Sequence, residues 1–367
     1  MISETSETSE TTTILAGTTK GLFVGRRGGD SWVWEGPHFP MVRVAAVAVD
    51  ARRDRPRWLV GGMHEHWGPL VARSDDEGGT WVEEEQAALR LPAGSGAAVA
   101  QVWQLAPGPV DRPDEVWAGV EPAALFRSTD GGVTFSLVES LWEHPHRPTW
   151  HPGFGGLCLH TVLPHPERAD SVLVAISTGG VYRTDDGGAT WAPSNHGIRA
   201  PYLPDPSPEY GQCVHKVARM SGRPDHLLLQ NHGGVFRSSD DGRTWEPATQ
   251  GLPADFGFGL TTHPTDPDTG YLFPLRADTL RLPPDGKARV YRTTDFGTSW
   301  HPLADGLPDH GFQTVVLRDA LTNDGAADPT LAFGTRSGEV WTGVGGGSSW
   351  QQAAAHLPDV LCVRAVA

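Results

Sequence analysis

The sequence predicts an all-β protein, a seven-bladed β-propeller whose four-stranded antiparallel blades form a closed ring. Three observations predict this fold class. One short phrase recurs at a near-constant spacing along the 367 residues. The 45 Gly and 31 Pro favour many short strands and turns over long helices. The stretches outside the outermost copies of the phrase together make one further repeat, so the chain holds seven units, one of them split between its ends.

The recurring phrase begins with Ser or Thr, continues with Asp, Gly and Thr at alternate positions, and ends in an aromatic residue, as in RTDDGGATW. Its copies are spaced by 49 to 56 residues, a period typical of propellers. The first and last copies, GRRGGDSW and TGVGGGSSW, are degenerate. The seven copies end at Trp32, Trp81, Phe135, Trp191, Trp245, Trp300 and Trp350.

Each repeat carries the same order of elements. An apolar run such as GLCLHTVLP precedes a Pro/Asp turn, a second apolar run such as SVLVAIS, a Gly-containing turn, a short third strand, the phrase and a polar last strand. This order predicts four antiparallel strands per unit. The C-terminal segment DVLCVRAVA is predicted to pair with TTTILAG near the N-terminus. The last blade is then closed by N- and C-terminal strands, which leaves no free sheet edge.

Composition limits the partners of this protein. The 44 acidic and 29 basic residues give a net charge of −15, which disfavours nucleic-acid and anionic-membrane partners. There is no spanning apolar run and no signal-peptide pattern, and the three cysteines do not form a disulfide framework. We therefore expect a cytoplasmic protein with a single propeller domain at residues 13–367. Residues 1–12, which hold only Ser, Thr and Glu after Met-Ile, are predicted to be a disordered tail.

The phrase Ser/Thr-x-Asp-x-Gly-x-Thr-Trp resembles the Asp-box, also called the bacterial neuraminidase repeat (BNR). The longer segments GVEPAALFRS, LCLHTVLPHP, QNHGGVFRS and LPADFGFGL resemble bacterial BNR-repeat proteins of the glycosyl-hydrolase-like or sialidase-like kind. The resemblance implies a propeller but not one reaction, because Asp-box propellers include sialidases, other glycosidases, assembly factors and receptors. Asp side chains in such turns bond nearby backbone amides, so their role is structural. The aspartates assigned to this role are Asp130, Asp186, Asp241 and Asp295.

The strongest candidate site is a histidine cluster on the face opposite the phrase. His160 and His215 occupy the same position in adjacent innermost strands, and His232 lies on the second-to-third-strand turn of the blade that holds His215. Three imidazoles that converge on the axis can bind one divalent transition metal. The alternative is that each histidine is satisfied by a backbone carbonyl. Glu121, on a corresponding turn, and His64 and His66, at the rim, are the candidate catalytic residues.

The same face supplies candidate ligand-binding residues from innermost strands, turns and long links. They suit a small-molecule or glycan ligand. These candidates are Arg43, Trp103, Tyr202, Tyr210, Arg336 and Arg364.

Three functional hypotheses remain. The first is a metal-dependent enzyme that uses the His/Glu cluster. The second is a glycosidase with two carboxylates about 5 Å or 6.5–9.5 Å apart, in which Glu121 is paired with another acid. Sialidase activity itself is not expected, because the Arg-Ile-Pro signature of sialidases is absent and sialidases have six blades. The third is a non-catalytic scaffold or binding propeller. Candidate partners for Glu121 are Glu65, Asp205, Glu209 and Asp255.

Overall fold

The structure is a computed structural model that describes residues 12–29, 31–84, 89–277 and 280–367. Within these residues, twenty-eight strands form seven four-stranded antiparallel sheets. Each innermost strand packs against the innermost strands of both neighbouring sheets, and the last packs against the first. The predicted seven-bladed β-propeller is therefore confirmed.

The strands follow one another in chain order around the ring. The first three are β1 (Thr13–Thr18), β2 (Gly21–Gly28) and β3 (Ser31–His38). Blade 1 contains β4 (Val42–Asp50), β5 (Arg57–His64), β6 (Gly68–Ser74) and β7 (Val82–Glu83). Blade 2 contains β8 (Gln101–Pro107), β9 (Val116–Glu121), β10 (Ala124–Ser128) and β11 (Ser136–Leu137). Blade 3 contains β12 (Leu159–Pro164), β13 (Val172–Ile176), β14 (Gly180–Thr184) and β15 (Ala192–Pro193).

The second half continues in the same way. Blade 4 contains β16 (Val214–Arg219), β17 (Leu227–Asn231), β18 (Gly234–Ser238) and β19 (Glu246–Pro247). Blade 5 contains β20 (Phe256–Thr262), β21 (Gly270–Leu275), β22 (Val290–Thr293) and β23 (His301–Leu303). Blade 6 contains β24 (Leu321–Asn323), β25 (Leu331–Gly334), β26 (Val340–Gly343) and β27 (Ser349–Ala354). Blade 7 is completed by β28 (Val360–Val366), which joins β1, β2 and β3.

The few helices of the described residues are short. They are α1 (Glu139–Trp142), α2 (Val344–Gly347) and three single 3₁₀ turns at Ala93–Ser95, Arg147–Thr149 and Pro284–Gly286. None of the helices in these ranges has the length or the apolar character needed to cross a bilayer.

The ring is closed between the two ends of the chain, as the repeat arithmetic predicts. Strand β28 pairs antiparallel with β1, with Leu15 opposite Arg364 and Ala16 opposite Val363. The predicted tail, residues 1–12, lies outside the described residues except for Thr12. Thr12 is buried, and its carbonyl accepts a hydrogen bond from the amide of Arg27 at 3.1 Å.

Burial follows the position of a strand within its blade. All five residues of β13 are buried, because neighbouring blades cover both of its faces, so its sequence is a continuous apolar run. The outermost strand β7 is exposed at both of its residues, Val82 and Glu83, and contains no apolar run. Blades also approach each other closely. A Cβ on Gly119 of β9 would lie 2.4 Å from the carbonyl oxygen of Leu159 in the next blade.

The repeated phrase forms the same side-chain-stapled turn in several blades. In the third blade, the Thr184 hydroxyl donates to Asp186 at 2.7 Å, and Asp186 accepts the Thr190 amide at 2.9 Å. The hydrogen bond from Thr184 is the largest of the causes that lower the pKa of Asp186 to about 2. The glycine two residues after each such aspartate has φ between 79° and 93°, a region that favours Gly. These turns account for the phrase without any catalytic role.

One assignment in these turns is corrected by the structure. In the copy RSSDDGRTW, the staple is Asp240, which accepts from the Ser238 hydroxyl at 2.7 Å and from the Thr244 amide at 2.9 Å. Asp241, the predicted staple, is the next residue. It is 1% exposed and binds arginines instead. Two consecutive aspartates made the phase of this copy ambiguous.

A second device, the β-bulge, shapes the ring interior. In six of the seven innermost strands, the register with the second strand slips at one level and leaves one or two residues without a ladder partner. Such a bulge re-aims the side chain of the extra residue. The bulged positions are Ala45, Trp103, His160, His215, Phe258 with Gly259, and Leu361.

Candidate functional site

A cavity of about 500 Å³ opens on the axis of the ring, on the face opposite the repeated turns. Five of the bulged residues line it, namely Ala45, Trp103, His215, Phe258 and Leu361. The turns after the second strands of blades 3, 4 and 6 add Thr178, His232 and Arg336. The cavity, which we call the axial cavity, opens on the face where the sequence analysis places the candidate site.

Four arginines lie in the wall of the axial cavity: Arg43, Arg281, Arg318 and Arg336. Arg336 is paired with Asp359, with a shortest N–O distance of 2.5 Å. Among the residues that the structure describes, the other three have no ion pair, and none of the lining residues is Asp or Glu. The described wall is therefore positive, in a chain whose net charge is −15.

Arg318 and Arg281 are held by aromatic rings. The Arg318 guanidinium carbon lies 5.6 Å from the ring centre of Trp103 and 5.3 Å from that of Phe258. Arg281 lies 5.6 Å from Phe154, a side chain that is 96% exposed, and 5.8 Å from Phe258. Cation–π contacts of this kind position a guanidinium without neutralising its charge.

Three candidate metal ligands come together in the cavity wall, but they are not the predicted trio. One ligand atom from each of Cys213, His215 and His232 lies within 4.8 Å of the others. His215 Nδ1 is 2.6 Å from the carbonyl oxygen of Gly257, so it carries the proton and leaves Nε2 facing the Cys213 sulfur at 3.5 Å. Burial, followed by the charge of Arg318, places the pKa of His215 well below its usual value.

His160 is separate from this group, which corrects the predicted combination of His160 with His215 and His232. Its side chain is fully buried, with Nε2 2.9 Å from the carbonyl oxygen of Val214 and Nδ1 3.0 Å from the Thr161 hydroxyl. Both nitrogens are therefore engaged. His160 and His215 are equivalent bulged residues that bond the next blade through different ring nitrogens, and only His215 keeps a nitrogen at the cavity.

The three predicted catalytic residues are not clustered. Glu121 lies at the end of β9, beside the cavity, where it accepts a hydrogen bond from Trp103 Nε1 at 3.0 Å. His64 Nδ1 instead accepts the amides of His66 and Trp67 at 3.1 and 3.2 Å, so it caps its own turn. Neither His64 nor His66 is among the described residues that line the cavity.

The six predicted ligand-binding residues divide into two groups. Arg43, Trp103, Tyr202 and Arg336 line the axial cavity. Tyr210 and Arg364 do not, because each is engaged elsewhere. The ring of Tyr210 stacks on His146 with centroids 3.8 Å apart. Arg364 binds Asp319 at 2.8 Å, in a buried group that also contains Lys216.

Sequence reasoning did not find Gln101 or Arg281, and it considered Arg318 only as one of several arginines that could form a sialidase-like triad, without placing it in the wall. Gln101 is 2% exposed, and its amide nitrogen donates to the carbonyls of Arg43 and Val102. Its oxygen is buried without a partner in the described residues. Arg318 precedes the short strand β24 and belongs to no strand itself. No sequence pattern could have identified Gln101 or Arg318, because what distinguishes them is a polar atom without a hydrogen bond in the folded protein.

A second group with metal-ligand chemistry is filled by protein cations. His165, Asp225 and Asp241 bring ligand atoms within 4.8 Å of one another. Arg168 and Arg219 bind the Asp241 carboxylate at 2.8 and 2.7 Å, which makes this group an ion-pair network.

Sequence comparison finds relatives among carbohydrate-active enzymes. No family model matches the chain. It is 28% identical over 286 residues to a xyloglucanase of Hypocrea jecorina (strain QM6a), covering 71% of this chain and 32% of that protein. It is 24% identical over 269 residues to a probable oligoxyloglucan-reducing end-specific xyloglucanase of Neosartorya fischeri, covering 64% and 31%. The chain thus spans about a third of the length of these two relatives.

Solved structures with a similar fold include three proteins that carry different names. An ancestral GH74 enzyme gives a TM-score of 0.57 at 16% identity, covering 85% of this chain and 38% of that chain. YCF48 bound to a D1 peptide gives 0.53 at 15%, covering 85% and 82%. A putative 6-phosphogluconolactonase of Bacteroides fragilis NCTC 9343 gives 0.58 at 11%, covering 99% of both chains. At these identities, the likenesses show the propeller fold alone.

Proposed function

We propose that this chain is a glycosidase-like propeller that binds a short glycan in the axial cavity, with Glu121 as the acidic group beside the bound sugar. The names of the two xyloglucanase relatives support a carbohydrate ligand. The cavity has the size and the mixed aromatic and polar lining of a small-molecule site.

The observation that carries the proposal is the unused oxygen of Gln101. A buried amide oxygen without a hydrogen bond costs about 1–3 kcal/mol, so its retention in a cavity wall favours a ligand that donates to it. A sugar hydroxyl is such a donor. Trp103, two residues along β8, offers an aromatic face in the same cavity.

Glu121 is proposed as the acid because its carboxylate is anchored by the Trp103 indole at the cavity edge. Glycoside hydrolysis by two carboxylates needs a second one about 5 Å or 6.5–9.5 Å away. None of the described residues that line the cavity supplies it. Glycan binding and bond cleavage are therefore separate parts of the proposal, and the experiment measures them separately.

The experiment titrates the protein with neutral and acidic oligosaccharides, including xyloglucan oligosaccharides, and follows the release of new reducing ends. We expect Gln101→Leu and Trp103→Ala each to weaken binding at least about tenfold, because each removes a direct ligand contact. Glu121→Gln should abolish cleavage and keep binding. Glu167→Gln, an exposed carboxylate outside the cavity, is the matched control and should change neither.

Three results would contradict all or part of the proposal. Glycan binding that is unchanged in Gln101→Leu and Trp103→Ala would place the site elsewhere. No binding of any tested oligosaccharide to the wild-type protein would remove the carbohydrate ligand. Cleavage that persists in Glu121→Gln would remove the assigned acid while leaving the glycan-binding cavity in place.

A metal-dependent enzyme is the second candidate, and the grouping of Cys213, His215 and His232 is the observation that favours it. The carbonyl behind His215 Nδ1 orients Nε2 as metal-bound histidines are usually oriented. Two features oppose a cation here. Burial raises the pKa of Cys213, and Arg318 contributes positive charge to both Cys213 and His215.

Elemental analysis of protein purified without chelator or His-tag tests this candidate. Stoichiometric zinc, or another divalent transition metal, that is lost in Cys213→Ala would support it. Cys158→Ala is the matched control, because Cys158 occupies the equivalent position of blade 3 and lies outside the group. Metal at trace levels in the wild-type protein would reject the candidate.

A further inference from the structure

Arg318 is a buried cation that has neither a hydrogen bond nor an ion pair with the described residues. Its side chain is 7% exposed, and its Nε is buried without a hydrogen bond. Its guanidinium forms no hydrogen bond or ion pair within the part of the chain that the structure describes. An arginine offers five N–H donors and cannot release its charge at physiological pH. A group of this kind is costly to bury unless something binds it.

Two other buried arginines, whose Nε atoms also lack a hydrogen bond, differ from Arg318 because their charge is paired with a carboxylate. Arg183 is 7% exposed and Arg219 is similarly buried, and both bind the carboxylate of Asp241. Arg318 is buried to the same extent and has aromatic neighbours, but no acid of the described residues forms an ion pair with it. Arg318 therefore differs from Arg183 in its lack of a described carboxylate partner, and not in how deeply it is buried.

The residues around Arg318 hold its guanidinium in the wall of the axial cavity. Trp103 and Phe258 contact the guanidinium and restrict its orientation. Arg281 and Arg43, which also lack carboxylate partners in the described ranges, line the same cavity. Since the protein as a whole has a charge of −15, this positive wall is not a consequence of its composition.

We infer that the axial cavity binds an anionic group, and that Arg318, assisted by Arg281 and Arg43, is the specificity-determining residue that selects an acidic saccharide over a neutral one. Guanidinium binds carboxylate and phosphate oxygens through paired hydrogen bonds. The saccharide in this inference rests on the proposed function, whereas the anion rests on Arg318. The negative group can be a uronic-acid carboxylate or a phosphate, and the test separates these sources.

The experiment compares three probes by calorimetric titration: a galacturonic acid trisaccharide, its fully methyl-esterified neutral form, and inorganic phosphate. The proteins are wild type, Arg318→Met, Arg318→Lys and Arg281→Gln. Arg223→Gln is the matched control, since Arg223 is about half exposed and pairs with Asp268 away from the cavity. Melting temperatures show that each variant is folded.

We expect the wild type to bind the acidic trisaccharide at least about tenfold more tightly than the ester, because charge-assisted bonds contribute more than neutral ones. Arg318→Met should remove this preference and leave the affinity for the ester unchanged. Arg318→Lys should restore only part of it, because an ammonium lacks the paired donors. Arg281→Gln should reduce it by a smaller factor, and Arg223→Gln should have no effect.

The remaining outcomes each support or overturn the inference. Equal affinity of the wild type for acid and ester, or a preference that survives in both Arg318→Met and Arg281→Gln, would overturn the inference and leave the glycan-binding function standing. Phosphate binding that depends on Arg318, without binding of either trisaccharide, would support the anion site and reject both the saccharide and the proposed function. If Arg318→Met does not fold, Arg318→Lys and Arg281→Gln still report the preference.

Discussion

Two groups of arginines in this propeller show opposite arrangements. Arg168, Arg183 and Arg219 surround one buried carboxylate, Asp241, and link blades 3 and 4. Arg43, Arg281 and Arg318 share the axial cavity, where no described lining residue is acidic. We call these groups the closed cluster and the open cluster. The two groups contain the same kind of side chain, yet among the described residues only the closed cluster has a carboxylate partner for its cations.

The difference separates structural charges from functional charges. In the closed cluster, every cation gains its partner during folding, so its contribution is to stability. In the open cluster, the positive charge remains available after folding, so its contribution is to binding. Substitutions that alter one cluster at a time test this distinction.

The largest effect should come from removing the centre of the closed cluster. Asp241→Asn leaves three arginines around an uncharged group, and breaking a buried pair in this way costs about 3–5 kcal/mol. The midpoint of urea denaturation measures the loss. Asp225→Asn is the matched control, because Asp225 is about half exposed and bonds the same Arg168. We expect it to cost less than about 1 kcal/mol. Equal losses in the two variants would show that Asp241 is not the centre of the cluster.

The open cluster should respond with the opposite sign. Arg318→Met removes a buried charge that has no described partner, so the free energy of unfolding should rise by about 1–2 kcal/mol. The same substitution in the closed cluster, Arg183→Met, should lower it, because Asp241 then loses a partner. Thermal and urea denaturation of the two variants give the comparison. A destabilised Arg318→Met would mean that the guanidinium already has a partner in the folded protein.

Acid should weaken the fold through the histidine beside the open cluster. The pKa of His215 is well below its usual value, first through burial and then through Arg318, so the folded protein resists protonation there. Below about pH 6.5 the unfolded chain binds this proton and the folded chain does not, so stability is full above that pH and falls as pH decreases. One such group contributes a slope of at most about 1.4 kcal/mol per pH unit.

Urea midpoints between pH 7.5 and 5 measure this slope. His215→Gln should make the slope shallower, whereas His310→Gln, whose side chain is 93% exposed, should not change it. A slope that is identical in wild type and His215→Gln would show that His215 does not resist protonation in the fold.

The smallest effect should come from the cavity arginine that has a partner. Arg336 is about half exposed and pairs with Asp359, so Arg336→Gln should change stability by less than about 1 kcal/mol. It should also leave the preference for acidic saccharides close to that of the wild type. A loss of preference as large as that in Arg318→Met would show that total charge, and not the unpartnered cation, sets the selectivity.

The fold could be predicted from the sequence because its repeat is encoded in local turn chemistry. Ser, Asp, Gly and Thr at fixed offsets specify each turn, and the spacing between turns specifies the blades. The phase of a single copy failed where two aspartates adjoin, at Asp240 and Asp241. Local turn chemistry and the repeat spacing together therefore predict the ring, including the pairing of β28 with β1.

The candidate site was predicted only in part. The axial position and the residues Arg43, Trp103, His215 and His232 follow from superposing the repeats. His160 and His215 occupy equivalent positions, and they differ in which ring nitrogen meets the next blade, a choice made by packing. Arg318 is a candidate binding residue because no described carboxylate pairs with it. The sequence around Arg318 does not reveal that such a partner is absent.

The β-bulges have a consequence for how such a ring can change during evolution. Each bulge frees one side chain from the ladder while its strand keeps its pairing on both sides. Positions such as Ala45 and Leu361 can therefore be exchanged without altering blade registers. The few residues at these positions then determine which ligand the axial cavity accepts, while the strands around them keep their pairing. New ligands would then arise by substitution at these positions, without insertion of new loops or rearrangement of blades.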